Sequence, residues 1–274
     1  MRSSAAGLAS VILALALAMT ADAARAQGSP PGDDRLILGA NGSTLTGGSG
    51  GSGGAIAWLH GVNADTLVGI GAEYQTIANA HWTLGSVLGS VTRGTESGPR
   101  TSLSGEFHAG SGDIGSRHFS YSLVVLGASR TLTKDLSLQL EARQIDIDTS
   151  HGNLPKLGLT YAWNQRFQTS LAYARSVGGN LGTELFSARV DFFGGRTGFL
   201  AGAAAGHAAP AVVNLQTGIE QPALALKQVF VGVSKPFSGA NLQLVADYLE
   251  LAGSKRTTLS LTYTLPLRGR GASR

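Results

Sequence analysis

Hydrophobic and polar residues alternate with a period of two along most of this chain. Between residues 156 and 164, leucine, tyrosine and tryptophan alternate with glycine, threonine and alanine, and residues 166–177 repeat the pattern. A period of two places one set on each face of a β-strand. The break at Asn164-Gln165 leaves room only for a tight hairpin. This segment therefore predicts two antiparallel strands, each with one large apolar face.

Similar short alternating runs follow one another from Arg35 to Leu267. They number fourteen, and one run with its connection takes about seventeen residues, which suits tilted strands of about ten residues. Helical spacing is weak, and the alanine-rich stretch 201–209 is interrupted by glycine and followed by Pro210. The predicted strands are 35–45, 55–62, 66–76, 80–92, 100–109, 115–131, 135–147, 156–164, 166–177, 183–193, 197–207, 225–236, 241–251 and 256–267.

The connections between these runs also alternate in length. Those after even-numbered strands are mostly short, at 63–65, 132–134, 164–165, 194–196 and 237–240. Those after odd-numbered strands are mostly longer, at 46–54, 110–114, 148–155 and 208–224. The alternation fails around strands three to five, where 77–79 is short and 93–99 is longer. The glycine-rich stretch 46–54 is interpreted as a mobile loop rather than a domain boundary.

Composition and the first residues add an export signal. Arg2, the apolar run 8–19 and the small-x-small site Ala24-Arg25-Ala26 predict a signal peptide over 1–26, followed by a disordered leader over 27–34. Of 274 residues 39 are glycine, about twice ordinary usage. The chain has no cysteine, which excludes disulfides, a lipid anchor and thiolate metal sites. Its net charge of +4 is scattered, so no nucleic-acid partner is expected.

With these features, the chain resembles bacterial outer-membrane β-barrels of the single-chain porin type. The resemblance implies an all-β, transmembrane, antiparallel up-and-down barrel of about 14 strands (range 12–16) over 35–267. It also implies location in the outer membrane of a Gram-negative cell, with outer-membrane lipids and the barrel-assembly machinery as partners. The chain departs from this class at its end, because a basic tail over 268–274 follows the final strand. Tyr263, Leu265 and Leu267 are the candidates for the closing-strand signal.

In such a barrel one face of each strand meets lipid and the other meets the interior. Charges facing lipid are costly, so charged residues on the small or polar face are expected to line the lumen. These lumen-lining candidates are Glu73, Glu106, His108, Glu141, Arg143, Arg189, Asp191 and Asp247. Trp163 and Phe167 flank a short turn and are expected in an aromatic girdle at the periplasmic side. A barrel of this width favours a lumen that contains water, although a lumen filled by paired side chains is the alternative.

One predicted strand, 135–147, changes phase along its length. Its first leucines occupy even positions, whereas Ile145 and Ile147 occupy odd positions. A β-bulge near Arg143-Gln144 explains the slip, and so does departure of the strand from the membrane.

Motifs for catalysis or cofactor binding are weak. His118 and Ser120 form a His-x-Ser pair like that of outer-membrane lipid A deacylases. However, the neighbouring Phe119, Tyr121 and Leu123 are assigned to the lipid face, which points His118 and Ser120 inward as an ordinary polar pair. Asp148 and His151 share a predicted loop but lack further metal ligands. The chain is therefore predicted not to be an enzyme and to need no cofactor or metal.

The function predicted from sequence is passage of small polar solutes or saccharides through a polar lumen. Two alternatives remain. The first is a structural or accessory barrel of an envelope or exopolysaccharide secretion assembly, without an open pore. The second is a lipid- or ester-modifying enzyme.

Overall fold

The chain forms fourteen antiparallel strands that close into one barrel. The structure, a computed structural model, describes residues 33–46, 50–78, 80–94, 98–147, 150–195, 197–208, 224–237, 239–251 and 254–268. No helix long and apolar enough to cross a membrane occurs among these residues. The strands are β1 Asp33–Leu45, β2 Gly51–Asn63, β3 Thr66–Ile77, β4 Ala80–Arg93, β5 Thr101–Ile114, β6 Arg117–Thr131, β7 Leu136–Ile147, β8 Ser150–Asn164, β9 Phe167–Arg175, β10 Glu184–Gly194, β11 Thr197–Ala208, β12 Leu224–Phe237, β13 Ala240–Leu251 and β14 Ser254–Arg268.

Each strand pairs with its neighbours in sequence, and β14 pairs with β1 to complete the ring. The closing ladder runs from Asp33 opposite Arg268 to Leu45 opposite Arg256, so it spans the full length of β1. Closure removes both sheet edges, which is the condition for a sheet to lie in lipid without unpaired backbone groups. The predicted all-β, up-and-down barrel of about 14 strands is confirmed.

The end of the barrel that holds both chain termini, which the sequence assigns to the periplasm, has short connections. Asn63 accepts a hydrogen bond from the backbone N–H of Asp65 at 2.9 Å, and Asn164 accepts one from Arg166 at 2.8 Å. Asparagine suits such turns because its side chain can replace a backbone acceptor. The hairpin predicted at Asn164-Gln165 is confirmed, with Gln165 and Arg166 at the turn.

Over the periplasmic part of every strand the outward side chains are mostly apolar. Leu126 and Leu103 are 60% and 59% exposed. Soluble proteins rarely expose leucines in a continuous band. We call this band the lipid belt. Its other large members include Ile56, Ile70, Phe107, Leu140, Leu157, Leu159, Leu171, Phe186, Phe199, Val231 and Leu261. A continuous apolar surface around a closed barrel is what contact with lipid requires.

At the opposite end, which we call the outer end, strands β3–β8 reverse their polarity. On β6 the outward residues His118 and Ser120 are exposed, while the inward residues Phe119 and Tyr121 are 5% and 6% exposed. We call residues 75–84, 110–123 and 144–154 the inverted zone. Here the barrel has an apolar interior and a polar outside, like a soluble protein. The strands therefore continue beyond the lipid belt.

The inverted zone corrects several sequence predictions. Phe119, Tyr121 and Leu123 were assigned to lipid, but all three lie inside the barrel, because this part of β6 is outside the lipid. The stretch 110–114 belongs to β5, and residues 150–155 belong to β8, so these are not loops. These stretches were predicted as loops because the outward residues at these strand ends are polar, as residues in loops usually are.

The same reversal explains the phase change of β7. Pairing of β7 runs without interruption over 137–147 with β6 and over 136–147 with β8, so the predicted β-bulge near Arg143-Gln144 is wrong. Departure of the strand from the membrane, the other explanation, accounts for the pattern. Arg143 and Ile145 face the interior together, and Gln144 and Asp146 face outward.

The predicted boundaries need small changes or lie outside the described residues. Strand β1 already begins at Asp33, within the predicted leader, and β14 ends at Arg268. Within the glycine-rich stretch 46–54, Gly51–Gly54 belong to β2. The signal peptide 1–26 and the tail beyond Arg268 lie outside the described residues and stay predictions.

Candidate functional site: the barrel interior

The structure places all eight predicted lumen residues on the inner face of the barrel. Their positions alternate with outward-facing residues of the same strands. Glu73, Glu106, Arg143 and Asp191 are 4–9% exposed, so they are covered by other interior side chains. Their predicted role as the lining of a water-filled lumen stays a prediction.

The largest charged cluster extends along the wall over β5–β8. Arg143 donates a hydrogen bond to Glu141, and Lys156 lies 3.6 Å from the other oxygen of the same carboxylate. On β5, His108 Nε2 lies 3.2 Å from Glu106 Oε2. Residues two apart on a strand share a face, and Lys156 is the cross-strand partner of Glu141. Each charge is thus paired within its own wall, which offsets the cost of its burial.

Two smaller charged clusters lie elsewhere on the inner face. Arg189 donates to both carboxylate oxygens of Asp191 from Nε at 2.9 Å. Asp247 accepts from Gln228 at 2.5 Å and lies 3.9 Å from Arg256. Positive and negative charges balance within each cluster. Balanced charge predicts that a pore through this region has little preference between cations and anions.

Nearer the outer end, the interior becomes apolar on the side of β3–β9. Trp82 and Ile147 are both 3% exposed. Their neighbours belong to one continuous cluster, which we call the apolar chamber wall. It comprises Ile77, Ala80, Trp82, Leu84, Ile114, Phe119, Tyr121, Leu123, Val125, Ile145, Ile147, Leu154, Ala174 and Leu181. This cluster lies closer to the outer end than the charged clusters do.

One member of the wall comes from the connection between β9 and β10. Leu181 is 3% exposed and packs where a side chain at Gly152 would otherwise lie. Asn180 fixes this connection to β8, because it donates its N–H to His151 O and accepts from His151 N, each at 2.9 Å. Gly178, Gly179 and Gly182 have φ of 69°, 68° and 54°, which glycine adopts without steric cost. The hydrogen bonds of Asn180 therefore hold Leu181 at the outer end. We call residues 178–182 the latch.

The His-x-Ser pair has the opposite orientation to the predicted one. His118 and Ser120 both face outward, so their assignment to the interior is wrong. His118 Nδ1 lies 3.0 Å from Asp113, and His81 lies 3.2 Å from the same carboxylate. Ser120 has no side-chain hydrogen bond to His118 in the part of the chain that the structure describes. This geometry supplies no activated nucleophile.

The aromatic residues at the periplasmic end lie on the outside of the barrel. Trp163 is 62% exposed, donates to Thr169 at 3.1 Å and meets Tyr161 edge to face at 5.0 Å. Phe167 faces the same side and pairs with Phe192 across β9 and β10. Their role as a membrane girdle stays a prediction.

The predicted loop pair Asp148 and His151 does not form a described metal site. Asp148 lies outside the described residues, and His151 is an exposed residue of β8. Among the described residues, no group of three or more His, Asp or Glu side chains is placed to hold a metal ion.

Sequence reasoning missed several interior residues. Lys156 and Arg256 lie at the starts of predicted strands, where alternation gave too few positions to assign a face. Trp82 and Phe119 were missed because an inward tryptophan or phenylalanine contradicts the rule that apolar residues face lipid. The signal that could have found Phe119 is the continuous apolar run 123–126, where the apolar face of β6 changes sides.

Comparisons with known proteins identify the fold and go no further. No family model matches the chain, and no curated protein matches it. Among solved structures, the monoaromatic hydrocarbon channel CymD is 11% identical with a TM-score of 0.62, covering 88% of this chain and 90% of that chain. The toluene transporter TodX of Pseudomonas putida is 10% identical with a TM-score of 0.52, covering 86% and 89%.

The outer-membrane protein Omp33 of Acinetobacter baumannii is 11% identical with a TM-score of 0.51, covering 88% of this chain and all of that chain. These structures confirm the predicted outer-membrane, porin-like β-barrel at the level of the fold. By their descriptions they are channels, a transporter and an outer-membrane protein.

Proposed function

We propose that this barrel is an outer-membrane channel for small solutes. One observation carries the proposal: a closed fourteen-strand barrel has an apolar belt outside and paired charges inside. A barrel with this many strands is too wide for its interior side chains alone to fill it. Outer-membrane lipids surround the lipid belt, and the barrel-assembly machinery inserts it.

The two interior regions favour solutes that combine an apolar body with a polar group. The charged clusters can hydrogen-bond to polar groups, which supports the prediction of small polar solutes or saccharides. The apolar chamber wall favours aromatic or aliphatic bodies instead. CymD and TodX carry names that refer to monoaromatic hydrocarbons and toluene. A solute with both parts gains contacts in both regions.

A second candidate is an accessory barrel without an open pore, within an envelope assembly. The observation that favours it is the burial of the interior charges, since Arg143 is 7% and Asp191 is 4% exposed. Such side chains fill space that a wide pore would leave open.

Swelling of proteoliposomes separates the two candidates. Liposomes that contain the folded protein are diluted into isotonic methyl β-D-glucoside or phenyl β-D-glucoside, which are neutral and differ by the aromatic ring. We expect swelling with both sugars, and faster swelling with the phenyl glucoside relative to its size, because its ring contacts the apolar chamber wall. Protein-free liposomes are the control. No swelling with either sugar would support the accessory barrel and contradict the channel.

A further inference from the structure

Two buried N–H groups in the apolar chamber wall lack hydrogen-bond partners. They are the indole nitrogen of Trp82 and the amide nitrogen of Gln75, and both residues are 3% exposed. Gln75 on β3 pairs directly with Trp82 on β4, so the two donors are neighbours on the same inner face.

Unpaired donors of this kind are rare inside proteins. A buried tryptophan usually finds a partner for its N–H, and a buried N–H that has lost its water is costly unless an acceptor replaces that water. The amide nitrogen of Gln75 carries two hydrogens, and Glu73 lies two residues away on the same inner face of β3. One N–H can therefore face Glu73 while the other faces a ligand.

The surroundings of these donors are apolar and shaped by glycine. The Gln75 amide fills the space that a side chain at Gly53 would need. Phe119 lies across Gly112 in the same way, at 2.8 Å from the position of a Cβ there. Because these glycines lack side chains, Gln75 and Phe119 lie along the wall rather than toward the barrel axis. An aromatic and aliphatic surface with a few polar groups, here two neighbouring donors, is the usual composition of a small-molecule site.

We propose that Trp82 and Gln75 form a binding site for a small, neutral ligand with an aromatic or aliphatic body and an acceptor oxygen. The site rests on the proposed channel function and assigns it a solute class. The two N–H groups bind the oxygen, and Phe119 and Leu84 contact the apolar body. A hydrocarbon without oxygen leaves both donors unpaired.

Both nitrogen atoms are buried in this structure, so binding requires rearrangement of the side chains around them. Leu181 belongs to the same cluster and lies at its outer end, on a connection with three glycines of positive φ.

Indole NMR signals test the site directly. The full chain is labelled with ¹⁵N and folded in detergent micelles, and its three tryptophan N–H signals are assigned with Trp58→Phe and Trp163→Phe. The probes are acetophenone and α-methylstyrene, which differ by replacement of the carbonyl oxygen with a CH₂ group. We expect acetophenone to move the Trp82 indole proton downfield in a saturable way. α-Methylstyrene should bind at least about five-fold more weakly, the effect of one hydrogen bond.

Variants decide which groups bind the oxygen. Gln75→Leu should weaken acetophenone binding about five-fold and leave α-methylstyrene binding unchanged. Gln139→Leu, an inward glutamine on β7 away from the site, should change neither. If Gln75→Leu fails to fold, Trp82→Phe keeps an aromatic ring and removes the donor. Saturation transfer on the ligand should then show the same loss for acetophenone alone.

Equal effects of the two probes, or no movement of the Trp82 signal, would overturn the site. Unchanged acetophenone affinity in the Gln75→Leu or Trp82→Phe variant would remove that donor from it. The channel proposal is tested separately, because swelling with the glucosides does not require acetophenone binding. Swelling without an acetophenone site would reject this inference alone, whereas absence of swelling would reject the channel.

Discussion

Replacing Phe119 with alanine should destabilise the folded barrel by about 3–5 kcal/mol, the usual cost of truncating a buried phenylalanine. Phe119 is 5% exposed inside the inverted zone, and its ring packs over Gly112. Denaturant unfolding from liposomes, read by the heat-modifiable mobility of the folded barrel on gels, measures the free energy of unfolding.

The matched control is the next residue along β6. Ser120→Ala changes an exposed outward side chain without a hydrogen bond to His118, so it should change the free energy of unfolding by less than about 0.5 kcal/mol. The original sequence-based assignment, with Phe119 in lipid and Ser120 inside, predicts the smaller loss for Phe119 and a measurable loss for Ser120. A result of that kind would show that the inverted zone is wrong.

Replacing Leu140 with arginine should cost about 2–4 kcal/mol, because an outward arginine near the bilayer midplane must be stabilised in hydrocarbon. Leu140 is 52% exposed in the lipid belt on β7. The same unfolding measurement in liposomes gives the loss.

Gln144→Arg is the control on the same strand and the same face, four residues closer to the outer end. It lies in the inverted zone, beyond the lipid belt, and should cost about 0–1 kcal/mol. Equal losses at the two positions would place both in the same solvent. That outcome would contradict the border between the lipid belt and the inverted zone.

The number and order of strands could be predicted because each strand alternates and closes a hairpin with the next. Asn164-Gln165 and 63–65 are short turns in both the prediction and the structure. Alternation alone separates two faces, however, and does not identify which face meets lipid. That assignment depends on the solvent around the strand, and the solvent changes along β5–β8.

The solvent around each strand also decides how far the candidate site could be predicted. The inward assignment was correct in the lipid belt and wrong in the inverted zone. Charged residues in the lipid belt region of the strands, such as Glu141 and Arg189, were assigned inward because lipid excludes charge. In the inverted zone water surrounds the strand, so Phe119 and Trp82 are buried inside instead. Pairing partners such as Lys156 require the register of neighbouring strands, which no single-strand pattern contains.

Single-channel recording in planar bilayers tests the channel most directly, and it compares the protein with a variant at Leu181. We expect discrete current steps from the folded protein, with little preference between potassium and chloride because the charges balance within each of the three interior clusters. Leu181→Ala should increase the open fraction, since it removes the side chain that packs against Gly152 at the outer end. A folded, heat-modifiable barrel that stays silent with either residue at position 181 would contradict the channel.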